Sequence, residues 1–174
     1  MKTGGWLIVG ILIGMASLPV AAYLYLRFGY APVATAAPPL PLEKSITHMA
    51  LNARVRSEAP KQAALPINDA NLIEGARAYR RYCSVCHGLI GEKDSPTSKG
   101  MFPKPPQLFQ HGVTDDPVGE TYWKVENGIR LTGMPAYKQS ISEEDIWRMS
   151  LMLANADKLP AAATAILKQP LPAE

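Results

Sequence analysis

Residues 83–87 read Cys83-Ser84-Val85-Cys86-His87, and this pentapeptide holds both cysteines of the 174-residue chain. The pattern C-x-x-C-H is the attachment signature of c-type haem. Each thiol adds across a haem vinyl group, and the adjacent histidine ligates the iron from the proximal face. The pentapeptide therefore predicts one covalent haem c, with Cys83 and Cys86 as attachment points and His87 as the first axial iron ligand.

Other uses of paired cysteines fit the sequence less well. A thioredoxin-like redox pair belongs near a βαβ pattern, which this chain lacks. A zinc site needs four ligands, and only His48 and His111 remain outside the pentapeptide as cysteine or histidine. A disulfide between Cys83 and Cys86 would leave His87 unexplained.

An uncharged apolar stretch, Trp6–Leu26, precedes the haem motif. Its length is about the ~20 residues that a helix needs to cross a bilayer. Trp6 and Tyr25 lie near its ends, as interfacial aromatic residues do. We expect residues 1–28 to form a single transmembrane anchor, with residues 6–26 in the lipid.

The alternative for this stretch is a cleavable signal peptide, because Ala34-Thr35-Ala36 resembles an A-x-A cleavage site. The apolar stretch is longer than a usual signal core, so the anchor is favoured. Lys2 and Arg27 flank it about equally, so loop charges barely decide its orientation. Since haem c is attached on the exported side, we expect a cytoplasmic N-terminus and a periplasmic haem domain at a bacterial inner membrane.

The charge distribution argues against some functions. The net charge is +3, but residues 71–174 hold equal numbers of basic and acidic side chains. The excess basic residues lie between the anchor and the haem motif: Lys44, Arg54, Arg56 and Lys61. This is no nucleic-acid footprint. No nucleophile motif, phosphate loop or paired-carboxylate pattern indicates a small-molecule substrate.

Composition divides the rest of the chain. Residues 29–66 form a tether that begins with the Pro/Ala-rich run Ala31–Leu42 and contains a possible short helix at Glu43–Glu58. This helix is either a solvated tether segment or a segment docked on another subunit. Residues 67–157 form the haem domain. Residues 158–174 form a tail, either a strap or a disordered end.

Capping signals predict three helices in the haem domain, and no alternating strand pattern appears. The helices run from Asn68 or Asp69 through Tyr82, from an Asp116 cap with Pro117 first to Gly128, and from Ser142 to about Ala156. Asp145 completes an S-x-x-D capping pattern with Ser142. Residues 88–111 read as a loop, because they contain four prolines and three glycines.

A second iron ligand is predicted in the stretch Asn127–Tyr137. Met134 lies between Gly133 and Pro135, in a loop that cannot wind into a helix. Met101 and His111 are competing candidates. Met149 and Met152 lie on the third helix and are expected in the core.

In this order, Gly75-x-x-x-Tyr79-x-x-x-Cys83-x-x-Cys86-His87, a Pro-rich loop and Gly133-Met134-Pro135 resemble a class I monohaem cytochrome c. The resemblance covers residues 71–157. It implies an all-α class I cytochrome c fold, with three to four short helices around one covalent haem, here preceded by a single transmembrane helix.

The resemblance also implies roles for individual residues. The first and last helices of the fold cross closely, which would place Gly75 and Tyr79 against Trp147 or its neighbours. A proline carbonyl, from Pro105 or Pro106, would accept a hydrogen bond from the proximal histidine. The remaining haem-pocket residues are expected to be Tyr79, Pro135 and, near the propionates, Trp123 and Arg130.

His/Met ligation leaves no open iron site, so the expected activity is one-electron transfer rather than catalysis. The expected partners are subunits of a respiratory or dehydrogenase complex, or other redox proteins that an anchored shuttle serves. The alternative is a haem enzyme or gas sensor with an open distal site. A weaker alternative is an assembly subunit with a structural haem.

Overall fold

The structure is a computed structural model that describes residues 2–92, 94–110 and 113–171, and it divides into two compact units, residues 1–41 and 42–174. In its described part the chain forms helices and no strand, which confirms the all-α prediction. The helices are α1 (Lys2–Arg27), α2 (Glu43–Glu58), α3 (Asp69–Tyr82), α4 (Ser84–His87), α5 (Pro96–Lys99), α6 (Val118–Asn127), α7 (Glu143–Ala154) and α8 (Ala161–Lys168).

The first unit is built on α1. Its segment Gly4–Arg27 has a mean hydropathy of 2.2, and its apolar window contains no buried residue. By length and composition this helix could cross a membrane. Pro19 lies within the helix without interrupting it.

The second unit is organised by the crossing of α3 and α7. Gly75 on α3 lies so close to α7 that a Cβ atom there would overlap the Arg148 carbonyl oxygen and lie 2.9 Å from Met152 Cβ. Only glycine permits this approach of two helix backbones. The expected crossing at Gly75, beside the neighbours of Trp147, is confirmed.

The core continues from this crossing to α6. The ring of Tyr122 on α6 stacks on Trp147 at a centroid distance of 4.0 Å. Met149 and Met152 are fully buried, as expected of core residues on α7. Tyr79 is also fully buried, and its ring packs edge to face on Phe109 at a centroid distance of 5.1 Å.

Two of the three predicted N-caps are confirmed. The Asn68 side chain accepts a hydrogen bond from Asn71 N, and the Ser142 side chain accepts one from Asp145 N. The Asp116 cap is wrong: Pro117 occupies the cap position with an extended ψ of 128°, so α6 begins at Val118. The Asp116 carboxylate instead lies 3.6 Å from Lys124 Nζ.

The tail forms a helical strap over α3, as far as Leu171. Ala163 and Leu167 on α8 are fully buried. The Arg80 guanidinium donates to the Pro170 carbonyl at 2.6 Å, and also to that of Gln169, and so closes the C-terminal end of α8. The loop after the haem motif is tied to the same helix, because Ile90 N donates to Leu167 O at 3.2 Å.

Helix α2 packs on α6 within the same compact unit. Val55 is 1% exposed, and Trp123 Nε1 donates to Glu58 Oε2 at 3.1 Å. A Cβ atom at Gly119 would overlap the Pro60 carbonyl oxygen, so the chain after α2 lies directly against α6. One side of this predicted helix is therefore neither solvated nor available to another subunit.

Candidate haem-attachment site

The haem motif continues α3 as a single helical turn. Cys83 ends α3, and α4 follows with His87 N donating to Cys83 O at 2.9 Å. Ser84 Oγ donates to Arg80 O at 2.7 Å and joins the two helices. This turn places Cys83, Cys86 and His87 close together on a short, hydrogen-bonded segment.

Gly88 ends the turn in a conformation that favours glycine. Its φ is +72°, and a Cβ atom there would overlap the Gln107 side chain. Its carbonyl accepts a hydrogen bond from the Tyr79 hydroxyl at 2.9 Å. Position 88 therefore holds the motif both to the core and to the following loop.

The loop after the motif is tied to three successive motif residues. Ser95 Oγ donates to Val85 O at 2.7 Å, and Gln107 Nε2 donates to Cys86 O at 3.4 Å. His87 Nδ1 lies 2.8 Å from Pro106 O. A carbonyl oxygen only accepts, so Nδ1 carries the proton and Nε2 is free to ligate iron.

This last contact distinguishes the two candidate prolines. The acceptor of the His87 bond is the carbonyl of Pro106, while Pro105 is buried beside it. A bond of this kind fixes the ring orientation of a metal-ligating histidine and raises its basicity.

The environment of His87 favours the neutral imidazole. Burial lowers the pKa of His87, and the hydrogen bond to Pro106 opposes that shift in part. Only a neutral imidazole has a lone pair for a metal. The charge state and the tautomer of His87 are thus both those of a ligand.

The two cysteines are unpaired and half-buried. Burial, and secondarily the neighbouring Cys86, raises the pKa of the Cys83 thiol to about 12. Cys83 Sγ lies 3.8 Å from Met149 Sδ in the core. Conversion of Cys83 to a thioether suits this apolar environment, because it removes a group that is costly to ionise there.

Met134 lies in the loop between α6 and α7. The loop begins at Gly128, whose φ is +66°. Two hydrogen bonds hold the Met134 backbone. Ile129 N donates to Met134 O at 3.2 Å, and Met134 N donates to Thr132 Oγ1 at 3.1 Å. The Met134 side chain is half-buried against the core.

Met101, the competing ligand, lies beside this loop. A Cβ atom at Gly133 would overlap the Met101 methyl group, so glycine at 133 leaves room for that side chain. His111, the other competitor, is outside the described residues. The structure brings both methionines to one loop, and the identity of the distal ligand stays a prediction.

The remaining predicted pocket residues have different surroundings. Tyr79 is buried behind the motif, whereas Arg130 and Pro135 are exposed. Trp123 is half-buried and gives its indole N–H to Glu58 on α2. The haem-pocket roles of Trp123, Arg130 and Pro135 stay predictions.

Three residues at this site escaped the sequence analysis: Ser95, Gln107 and Phe109. Ser95 had a readable signal, because serine before Pro96 is a helix N-cap pattern, and its side chain does accept from Ser98 N. Gln107 and Phe109 lie in a loop without periodicity, so nothing in the sequence marks their contacts.

The donor set fits a covalently attached haem. Two unpaired thiols and a neutral imidazole with its Nδ1–H engaged share one turn, and a thioether-bearing loop packs against the same core. In the described residues no cluster of three or more metal-binding side chains offers an alternative metal site.

Comparison with known proteins agrees with this site. Residues 70–151 match the family described as cytochrome C oxidase, cbb3-type, subunit III. The match covers just under half of the chain and contains the haem motif and Met134. Residues 70–151 are therefore similar to a c-type cytochrome domain, and the all-helical fold is consistent with the class I cytochrome c fold.

Two further comparisons add little. No curated protein matches the sequence. A chain of the reducing HAO-like protein complex of Kuenenia stuttgartiensis is similar in structure, with a TM-score of 0.42 and 20% sequence identity. The alignment covers 53% of this chain and 47% of that one, so this chain spans about half of the length of its structural relative.

Proposed function

We propose that this protein carries single electrons through one haem c on the periplasmic side of a bacterial inner membrane. Cys83 and Cys86 hold the haem, and His87 and Met134 are its axial ligands. The observation that carries the proposal is the 2.8 Å bond between His87 Nδ1 and Pro106 O, which presents Nε2 as a ligand.

A proximal ligand held in this way suits electron transfer. When bound, the haem supplies a one-electron iron couple, and His/Met ligation gives it a higher potential than bis-histidine ligation. The protein fixes the imidazole through Pro106, and the Gly88 turn holds the motif to Tyr79 and Gln107. Rigid ligands keep the rearrangement between oxidation states small.

Met134 would supply the second iron ligand. Its loop is closed by the Ile129–Met134 and Thr132–Met134 hydrogen bonds, so the thioether is carried by a short and defined segment. A closed His/Met site excludes oxygen and peroxide from the iron, which makes the protein a carrier rather than an enzyme.

Helix α1 supports membrane attachment, with residues 1–28 as the anchor and residues 67–157 as the periplasmic cytochrome domain. The name of the matched family supports a role beside a respiratory oxidase. Because α2 packs on α6, the free connection is shorter than residues 29–66. We infer a permanent subunit of a respiratory or dehydrogenase complex rather than a far-ranging anchored shuttle.

Optical spectra of the purified full chain, oxidised and reduced, test the proposal. We expect a c-type reduced spectrum, a weak far-red methionine–iron band in the oxidised state, and no change with carbon monoxide. Loss of that band together with ready carbon monoxide binding would overturn it and favour the haem enzyme or gas sensor.

A further inference from the structure

Tyr137 ends the Met134 loop, residues 128–137, and its backbone joins this loop to two helices. Its amide donates to Val125 O on α6 at 3.1 Å. Its carbonyl accepts from Ile141 N at 3.0 Å, in the turn that leads into α7. The backbone three residues after Met134 is therefore fixed on both sides of Tyr137.

The side chain of Tyr137 reaches a third helix. Its hydroxyl donates to Tyr82 O at 2.9 Å, and the centroids of the two rings lie 6.2 Å apart. Tyr82 is the last residue of α3 and directly precedes Cys83. Within the described residues, no other hydrogen bond joins residues 128–137 to residues 69–88. This one bond therefore connects the loop of the second predicted ligand to the segment that carries the haem motif.

The Tyr82 carbonyl can accept this bond because the helix is interrupted at the haem motif. In an uninterrupted α-helix, Cys86 N would donate to Tyr82 O. Here Cys86 N donates instead to Cys83 O at 3.2 Å, so the Tyr82 carbonyl receives no backbone amide from the described residues. Carbonyl groups at the end of a helix need a donor from elsewhere. The Tyr137 hydroxyl supplies it.

The surroundings of the Tyr137 hydroxyl favour this bond. The side chain is half-buried and packs against the core. Burial raises the pKa of Tyr137, and the neighbouring thiols of Cys83 and Cys86 add to the shift. The hydroxyl therefore stays protonated and donates, close to the two cysteines of the haem motif. Because water is partly excluded there, loss of the hydroxyl would leave the Tyr82 carbonyl poorly compensated.

We propose that Tyr137 is a positioning residue for the distal ligand: its bond to Tyr82 O holds the Met134 loop to the haem-attachment segment and keeps the thioether on the iron. Pro135 lies between Met134 and Tyr137 and restricts the backbone, so a displacement of residue 137 is carried to the ligand. The bond thus opposes the entry of small molecules at the iron. This inference rests on the proposed His87/Met134 ligation.

Binding of free imidazole to the oxidised, haem-loaded full chain tests this role. Imidazole replaces a methionine ligand and removes the far-red band, and its apparent affinity rises with the fraction of chains whose methionine is off the iron. The variant is Tyr137→Phe, which keeps the ring and loses only the hydroxyl. The matched control is Tyr122→Phe, which loses a hydroxyl bond that stays within α6, from Tyr122 to Glu126 Oε1 at 3.3 Å. Urea unfolding of both variants measures their loss of global stability.

We expect Tyr137→Phe to bind imidazole about threefold to tenfold more tightly than the wild-type chain, the range that loss of one hydrogen bond gives. Tyr122→Phe should stay within about twofold of the wild-type affinity, because its bond does not reach the Met134 loop. An unchanged affinity in Tyr137→Phe, or affinities of the two variants that simply follow their urea stabilities, would overturn the positioning role and leave the His/Met haem intact. A wild-type chain without the far-red band would overturn the proposed ligation, and the positioning role with it.

Discussion

The segments that carry the two predicted iron ligands are held in different ways. His87 sits on a helical turn whose carbonyl and side-chain groups are bound by Ser95, Pro106 and Gln107. Met134 sits in a loop that Ile129 and Thr132 close through two hydrogen bonds at the methionine backbone. The protein therefore holds the His87 segment through more contacts than the Met134 segment, and we expect the position of Met134 to depend more on its proposed bond to iron.

This comparison first predicts the effect of losing attachment. In the double variant Cys83→Ala/Cys86→Ala we expect complete loss of covalent haem, because no other cysteine exists in the chain. Haem staining after denaturing electrophoresis measures it, with the wild-type chain as control. Haem that stays covalently bound in the double variant would contradict the attachment site.

Removal of the distal ligand should leave one coordination position of the iron vacant without releasing the haem. Met134→Ala is expected to abolish the far-red band, to admit carbon monoxide and to lower the reduction potential, since methionine ligation raises it. The matched control is Met101→Ala, whose side chain lies against Gly133. If Met101→Ala instead loses the band and Met134→Ala keeps it, the ligand assignment is wrong.

The proximal turn should tolerate no side chain at position 88. Gly88→Ala is expected to lower the free energy of unfolding by about 2–4 kcal/mol, from the positive φ and the overlap with Gln107. Gly91→Ala, with φ +82° and open space around it, should cost only about 1 kcal/mol. Urea unfolding measures the unfolding free energy of both variants. Equal losses of unfolding free energy would contradict the claim that overlap with the Gln107 side chain adds to the cost at position 88.

Removing one hydrogen bond from the His87 segment and one from the Met134 segment should have different effects on stability and on the far-red band. Ser95→Ala removes both the bond to Val85 O and the cap of α5, so we expect a loss of about 1–2 kcal/mol in unfolding free energy with an unchanged far-red band. Thr132→Val removes one bond to Met134 N and is expected to cost about 1 kcal/mol or less, while it promotes release of the methionine on warming. A far-red band that is equally stable to heat in both variants would contradict the difference between the segments.

Local signals in the sequence predicted much of this structure. The haem motif and the caps at Asn68 and Ser142 each depend on residue types with one dominant physical use. The helix crossing at Gly75 was implied instead by the resemblance to class I cytochromes c. The cap at Asp116 failed because Pro117, which suits a first helical position, also suits the extended cap position that it takes here.

Other features depend on contacts that no local pattern encodes. The tail contains the helical spacing of Ala163, Ile166 and Leu167, yet its Pro- and Ala-rich composition favours a strap or a disordered end, and the helix depends on burial against α3. The bond from Gln107 to Cys86 joins residues that a loop separates. Likewise, the apolar spacing on α2 could be read from the sequence, but which of its faces packs on α6 could not.

The most direct test of the account is NMR of the reduced full chain with labelled methionine methyl groups. Seven methionines are present, and a methyl group bound to haem iron is shifted far from the rest by the porphyrin ring current. We predict one such signal, which Met101→Leu retains and Met134→Leu removes. The absence of any shifted methyl, or its loss in Met101→Leu but not in Met134→Leu, would contradict a His87/Met134 electron-transfer haem.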